Sequence, residues 1–229
     1  MLPKLLKIPP EENSSILIRK EVCPYFENPF HFHSELELNL IVKSTGTRFV
    51  GDHIDSFREN DLVLLGPNIP HCWKNDSSYY TNQNPEAAQA IIIRFSEFFL
   101  GDQQFNMPEM SKLKKLFEMS KRGLLIKGEG KDRIIASIVK MVEYKGMERL
   151  IIFLGILNAI INTCDLIELS SDNFMTTLNP KNEKRMHLVY DFITNNFKDR
   201  IFNTIFGLYV CNILFILIVN IRCHHFLVL

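Results

Sequence analysis

The sequence lacks several features that would assign it to a functional class directly. Its 26 basic and 26 acidic side chains cancel over 229 residues, so the chain has no excess positive charge to attract nucleic acid. Its five cysteines are an odd number and include no C-x-x-C pair, which favours free thiols in a reducing cytosol over a disulfide framework. Residues 1–15 lack the long apolar core of a secretory signal. We therefore expect a cytoplasmic protein.

Charge is also missing from the end of the chain. Residues 202–229 form a hydrophobic tail whose one Lys, Arg, Asp or Glu is Arg222. The preferred interpretation is a frameshift near residue 201 in AT-rich DNA, because the charge disappears abruptly. The alternative is a membrane anchor, since about 20 apolar residues can span a bilayer. Three asparagines interrupt this segment, and we do not expect membrane association.

The rest of the chain has a globular composition, with 46% hydrophobic and 23% charged residues. Residues 1–105 contain short apolar runs separated by turn residues, and many short strands of this kind favour a sandwich or small barrel. Gly51-Asp52, between two of these runs, is a hairpin signal. Residues 106–169 carry apolar side chains at helical spacing and predict packing helices. The fold class is therefore α+β, with a polar linker over 170–183 and one further amphipathic helix over 184–201.

One strand candidate, FHFHSELELNLIV, has an unusually polar face. In an extended strand His31, His33, Glu35 and Glu37 share one side, whereas Phe32 and three leucines cover the other. Three interpretations are open. His31, His33, Glu37 and the later His71 could hold a divalent metal, the polar side chains could line a metal-free pocket or network, or they could face solvent. The metal-free pocket is preferred, so no cofactor is expected.

The order of these residues resembles a known family. The pattern His31-x-His33-x3-Glu37, followed by a hairpin and PNIPHCW, resembles the two motifs of the cupin barrel. The whole segment FHFHSELELNLIVKSTGTRFVGDHIDSFRENDLVLLGPNIPHCW is similar to the cupin-type sensor domain of AraC-family transcription regulators. Residues 106–169 resemble the dimerisation and packing helices of that family. Residues 184–201 resemble the first helix of its helix-turn-helix domain.

The resemblance implies a small jelly-roll barrel that binds a small-molecule effector such as a sugar, forms a homodimer and has no catalytic activity. The residues that it places at the effector pocket are His31, His33, Glu35, Glu37, His71 and Trp73. Trp73 could offer a flat apolar face to a sugar ring, although a core or rim position is equally ordinary for a tryptophan.

The sequence departs from the family pattern in two places. Gly46 falls two residues later than the first cupin motif would place it, and the glycine usual in the second motif is replaced. After residue 201 no helix-turn-helix pattern follows, so we expect DNA binding only if the missing C-terminal domain were present. Three alternatives remain open. They are a metal-dependent cupin enzyme of isomerase or dioxygenase type, a membrane-anchored sensor domain, and a fragment that pairs with an intact regulator.

Overall fold

A computed structural model describes residues 3–9, 14–81, 84–171 and 174 of the chain. The strands are β1 (Lys4–Leu5), β2 (Ile16–Cys23), β3 (His31–Phe32), β4 (Leu36–Lys43), β5 (Gly46–Val50), β6 (His53–Phe57), β7 (Leu62–Leu65), β8 (His71–Asn75), β9 (Ala88–Phe95), β10 (Leu124–Lys127) and β11 (Asp165–Glu168). The α-helices are α1 (Ser77–Thr81), α2 (Asp102–Phe105), α3 (Ser111–Ser120), α4 (Lys131–Met141) and α5 (Gly146–Thr163).

The strands form two sheets that face each other. One sheet has the order β1-β3-β8-β5-β6 and the other β11-β10-β7-β4-β9-β2. All pairings between described strands are antiparallel except that of β1 with β3. Val50 and Trp73 of the first sheet share a buried apolar cluster with Ile41 and Ile92 of the second. The predicted α+β class is confirmed, and the strand-rich part is a two-sheet sandwich.

The inner strands β7, β4 and β9 of the six-stranded sheet are buried on both faces, which explains their apolar sequences. The side of β4 and β9 away from the first sheet carries Leu38 and Ile93, both 0% exposed. These residues belong to one core cluster with Phe117, Ile138 and Phe153 of helices α3, α4 and α5. The helices therefore form a third layer, as packing helices were predicted to do.

Two predictions about the elements are corrected. The polar-faced strand is not continuous, because β3 belongs to the five-stranded sheet and β4 to the six-stranded sheet. The chain changes sheets over residues 33–35. The region 106–169 is also not purely helical, since β10 and β11 pair with each other and extend the six-stranded sheet beside β7. Polar and apolar residues continue to alternate where the chain passes from β3 to β4, so the sequence alone could not show this change of sheet.

The predicted hairpin at Gly51-Asp52 is confirmed, with Val50 paired to His53 and a φ of 59° at Gly51. This turn also anchors the start of the predicted linker. The Asp52 carboxylate accepts hydrogen bonds from the Ser171 N–H at 2.9 Å and from its hydroxyl at 2.5 Å. The turn between β5 and β6 is thus hydrogen-bonded to Ser171, near the start of the predicted linker.

Helix α5 is the one described helix that is long and apolar enough to cross a membrane, with a mean hydropathy of 1.3. One side of it, which includes Phe153 and Ile156, is buried in the core, as in many helices of soluble proteins. The other side is open, with Met147 69% and Ile151 62% exposed. The linker beyond Ser171, the predicted helix over 184–201 and the tail over 202–229 lie outside the described residues, Phe174 excepted.

Candidate functional site

Three histidines from two strands meet on the inner face of the first sheet. His31 on β3 is the direct partner of His71 on β8, and His33 follows just after β3. The ring centroids of His31 and His71 lie 4.3 Å apart, and His33 lies 5.1 Å from His71 and 5.8 Å from His31. All three side chains are buried. The sequence left open whether His71 lies near His31 and His33, which it placed together on a single long strand.

Each of these rings is oriented by its own backbone. The Nδ1 atom of His31 lies 2.8 Å from the Pro29 carbonyl, that of His33 lies 3.0 Å from the Glu35 carbonyl, and that of His71 lies 2.8 Å from the Ile69 carbonyl. A carbonyl oxygen can only accept, so each Nδ1 carries the hydrogen of the bond. In His31 and His71 a neutral ring in this tautomer presents the lone pair of Nε2 to its surroundings, whereas Nε2 of His33 faces a Glu37 carboxylate oxygen at 3.1 Å. The Nε2 atoms of His31 and His71 are buried without a hydrogen-bond partner among the described residues.

Burial keeps two of these rings neutral. It lowers the pKa of His71 from 6.5 to about 3, against the opposing effect of the nearby Glu37 carboxylate. Burial likewise lowers the pKa of His31. At neutral pH both Nε2 lone pairs are therefore free for a metal ion or a hydrogen-bond donor.

Beside the histidines lies a buried ion pair that the sequence did not reveal. Glu37 on β4 faces Arg94 on β9 in register, and Arg94 Nε donates to Glu37 Oε2 at 2.7 Å. His33 Nε2 lies 3.1 Å from the same oxygen of Glu37, and Asn39 Nδ2 donates to the second carboxylate oxygen, Oε1, at 3.1 Å. Burial alone would raise the pKa of Glu37, but the His33 hydrogen bond and the Arg94 charge outweigh it and hold that pKa well below its ordinary value. The available signal was the single arginine in the apolar strand AIIIRF.

A cavity opens next to these groups. The cavity is small, since the centre of a water-sized sphere can occupy only about 20 Å³ of it, and it therefore admits only a compact ligand. A sugar ring does not fit this cavity as it stands. The lining residues are Glu21, Phe26, Asn28, His31, Glu37, Asn39, Ile41, Trp73, Ala90, Ile92 and Arg94.

The six predicted pocket residues do not all reach this cavity. His31, Glu37 and Trp73 line it, and the rings of His33 and His71 contact His31 behind it. Trp73 is 7% exposed and meets His71 edge-on at 5.8 Å. Glu35 does not line the cavity. Its side chain accepts a hydrogen bond from Ser34 and lies 3.6 Å from His33 Nδ1, at the rim of the sandwich.

The histidine cluster suits a divalent transition metal, and the fourth residue of the predicted set, Glu37, lies beside it with Oε1 3.8 Å from His71 Nε2. One ligand atom from each of His31, His33 and His71 lies within 4.8 Å of the others. Three imidazoles are a common ligand set for Zn, Cu, Fe or Ni, and His33 would have to release Glu37 to offer its Nε2 atom to the ion. Glu37 is outside this group because its carboxylate is engaged by Arg94, Asn39 and His33.

No protein-family model matches this chain, and no curated protein matches it. Several solved structures resemble it. A cupin 2 conserved barrel domain protein from Rhodopseudomonas palustris aligns over 38% of this chain and 57% of its own, with 17% identity and a TM-score of 0.30. The apo form of a ToxT variant from Vibrio cholerae aligns over 66% of this chain and 55% of its own, with 14% identity and a TM-score of 0.40. The AraC-like transcriptional activator CuxR aligns over 80% and 62%, with 12% identity and a TM-score of 0.43.

These alignments span little more than half the length of the matched chains, from 55% to 62%. At 12–17% identity they do not transfer an activity, substrate or partner to this protein. Its function has to be argued from its own site.

Proposed function

We propose that the described residues form the effector-sensing domain of an AraC-type transcription regulator, with the effector bound between the two sheets beside His31, His33 and His71. The observation that carries this proposal is the pair of buried, unpaired Nε2 atoms that His31 and His71 present to one another. Each buried polar group without a partner costs about 1–3 kcal/mol, so a ligand that pairs with these atoms gains that free energy on binding. The order of the sequence motifs supports the regulator class.

The site has a short physical connection to the linker. The Pro70 carbonyl, adjacent to His71, accepts a hydrogen bond from the Gly51 N–H at 2.8 Å. The next residue, Asp52, anchors Ser171 at the start of the linker. An effector that contacts His31, the cross-strand partner of His71, would favour one arrangement of this turn and so bias the module that follows, a population shift without chemistry. DNA binding itself would require a helix-turn-helix domain after the linker.

A homodimer is part of this proposal. Helices α4 and α5 expose Val139, Met147 and Ile151, at 49%, 69% and 62%. Exposed apolar side chains on adjacent helices are typical of a surface that a partner covers. The proposal further includes a cytoplasmic location and no catalytic activity.

A thermal-unfolding screen of the full-length chain tests the sensing function. The compounds are sugars, small organic acids, small diols and divalent metal chlorides. A ligand at 100 times its dissociation constant adds about 2.7 kcal/mol of stability, which raises the melting temperature by about 5–10 °C in a protein of this size. His31→Phe removes the Nε2 acceptor that lines the cavity and should abolish the increase, whereas His53→Gln, on β6 outside the cluster, should preserve it. The proposal fails if no compound stabilises a folded protein, or if His31→Phe leaves the increase unchanged.

A second candidate is a metal-dependent enzyme, which the histidine cluster specifically favours. His31, His33 and His71 would hold the ion, which would act as a Lewis acid towards a bound substrate. Elemental analysis of the purified protein, with reconstitution by zinc, nickel or iron, separates the two functions. Stoichiometric metal together with metal-dependent turnover would favour the enzyme. Effector-dependent stabilisation without turnover would favour the sensor.

A further inference from the structure

The cavity beside the histidines contains unused hydrogen-bond donors. Arg94 lines the cavity and uses Nε on Glu37, while its two terminal amino groups have no acceptor among the described residues. Trp73 also lines the cavity, and its indole N–H is buried with no partner in the described part of the chain. A buried donor without a partner, such as the Trp73 indole N–H, is unusual in native proteins and indicates that a ligand or water supplies the acceptor.

The same cavity contains unused acceptors. Asn39 donates its amide N–H to Glu37, which leaves its buried Oδ1 without a partner among the described residues. The Nε2 lone pair of His31 is in the same situation and lines the same cavity. A ligand that satisfies the whole site therefore needs acceptor atoms on one side and a donor on the other.

The cavity lining carries one cation, Arg94, and two carboxylates, Glu21 and Glu37, of which Glu37 is paired with Arg94 Nε. The terminal amino groups of Arg94 favour an acceptor that carries negative charge. Phe26, Ile41, Ala90 and Ile92 surround the polar groups with apolar surface, which strengthens charge-assisted hydrogen bonds. Arg48, the cross-strand partner of Trp73, is a second buried cation, 1% exposed. Its Nη1 donates to Asp61 at 2.7 Å, whereas Nε and Nη2 have no partner among the described residues.

We propose that the cavity binds a compact carboxylic acid that also carries a hydroxyl group. The carboxylate accepts hydrogen bonds from the terminal amino groups of Arg94 and from the indole N–H of Trp73, because a planar carboxylate matches the guanidinium fork. The hydroxyl donates to Asn39 Oδ1 or to His31 Nε2. The small size of the cavity limits the ligand to a few heavy atoms. This inference rests on the proposed sensing function and names the chemical class of the effector.

Isothermal titration calorimetry of the full-length chain tests the inference with glycolate, acetate, ethylene glycol and inorganic phosphate. Glycolate should bind at least about tenfold more tightly than ethylene glycol, which lacks the charge, because a hydrogen bond to a charged group is stronger than one to a neutral group. It should also bind more tightly than acetate, which lacks the hydroxyl. Equal binding of ethylene glycol and glycolate, or tighter binding of phosphate, would overturn the inference.

Two variants locate the carboxylate. Arg94→Lys keeps a cation beside Glu37 but removes the fork, and should weaken glycolate binding by about tenfold or more. Trp73→Phe keeps the apolar ring and removes the indole N–H, so a smaller loss is expected. The matched control is Arg133→Lys, an exposed arginine on helix α4 that does not line the cavity. Unchanged glycolate affinity in both Arg94→Lys and Trp73→Phe, each checked for folding by circular dichroism, would contradict the assignment.

The two proposals fail in different ways. If neutral diols stabilise the protein and acids do not, the cavity is still an effector site and the carboxylate inference is wrong. If no compound of the screen binds, the sensing function itself fails, and the carboxylate inference with it.

Discussion

Replacing Glu37 by glutamine tests the electrostatic arrangement on which the site depends. Glu37 is 1% exposed and Arg94 is 8% exposed, and they form a hydrogen-bonded ion pair at 2.7 Å between the central strands of the six-stranded sheet. Glu37→Gln removes the negative charge but keeps the size of the side chain. The buried Arg94 cation then loses its partner while it remains out of water.

The expected loss of stability is about 3–5 kcal/mol, because breaking a buried pair leaves one uncompensated charge. This is a large part of the 5–15 kcal/mol that typically stabilises a domain. The double variant Glu37→Gln with Arg94→Gln should be more stable than the sum of the two single losses predicts, by about 1–3 kcal/mol. The reason is that the double variant buries no unpaired charge.

Urea unfolding of the full-length protein at pH 7, followed by circular dichroism, measures these differences. The control is Glu86→Gln, an exposed carboxylate in the loop before β9, which should change the free energy of unfolding by less than about 0.5 kcal/mol. A Glu37→Gln loss no larger than that of the control, or strictly additive losses in the double variant, would refute the reasoning.

Three further predictions concern other parts of the molecule. His71 has a pKa near 6.5 in the unfolded chain and about 3 in the native protein, so the unfolded state binds the proton first as the pH falls. The free energy of unfolding should therefore drop by about 1.4 kcal/mol per pH unit between these two values. In urea titrations His71→Gln should flatten this slope. Gly46→Ala should destabilise the protein by about 2 kcal/mol or more in thermal unfolding, because the added Cβ would lie 2.2 Å from the Lys74 carbonyl oxygen. Its control, Gly155→Ala, should be neutral or stabilising, because no atom lies within 4 Å of the added Cβ. Ile151→Glu should convert a dimer into a monomer in size-exclusion chromatography with light scattering, without lowering the unfolding temperature of the monomer.

Each of these three predictions has a clear contrary result. A pH slope that His71→Gln leaves unchanged would assign the proton uptake to other groups. Equal stability of the two glycine variants would mean that the strand β8 backbone is not as close to Gly46 as described. A monomeric wild-type protein, or an Ile151→Glu variant that remains dimeric, would remove helix α5 from the dimer interface.

Much of the site could be predicted from the sequence because its signals are local. Alternation of polar and apolar residues correctly placed Glu37 on the inner face and Leu38 on the helix-facing side of β4. The hairpin at Gly51-Asp52 was predicted from the turn residues themselves. The pairing of His31 with His71 joins residues 40 positions apart, and the sequence offered it only as one possible arrangement and as an implication of the family resemblance.

The remainder depends on contacts between distant segments. Arg94 was recognisable as a charge in a buried strand, but its pairing with Glu37 depends on the register of β4 against β9, 57 residues apart. The change of sheet after β3 was hidden because period-two alternation does not identify the sheet to which a strand belongs. Strand β11 lies within the region 106–169 that was predicted to be helical, because a short apolar run is compatible with either element.

The central claim is that His31 and His71 present free Nε2 atoms to a ligand, and nuclear magnetic resonance of ¹⁵N-histidine-labelled full-length protein tests it most directly. Long-range nitrogen–proton correlation spectra at pH 7 identify the protonated nitrogen of each ring. The account predicts neutral His31 and His71 rings with the proton on Nδ1, and Nε2 resonances that shift when glycolate or zinc chloride is added. Rings protonated on Nε2, or Nε2 resonances that no stabilising compound moves, would contradict the account.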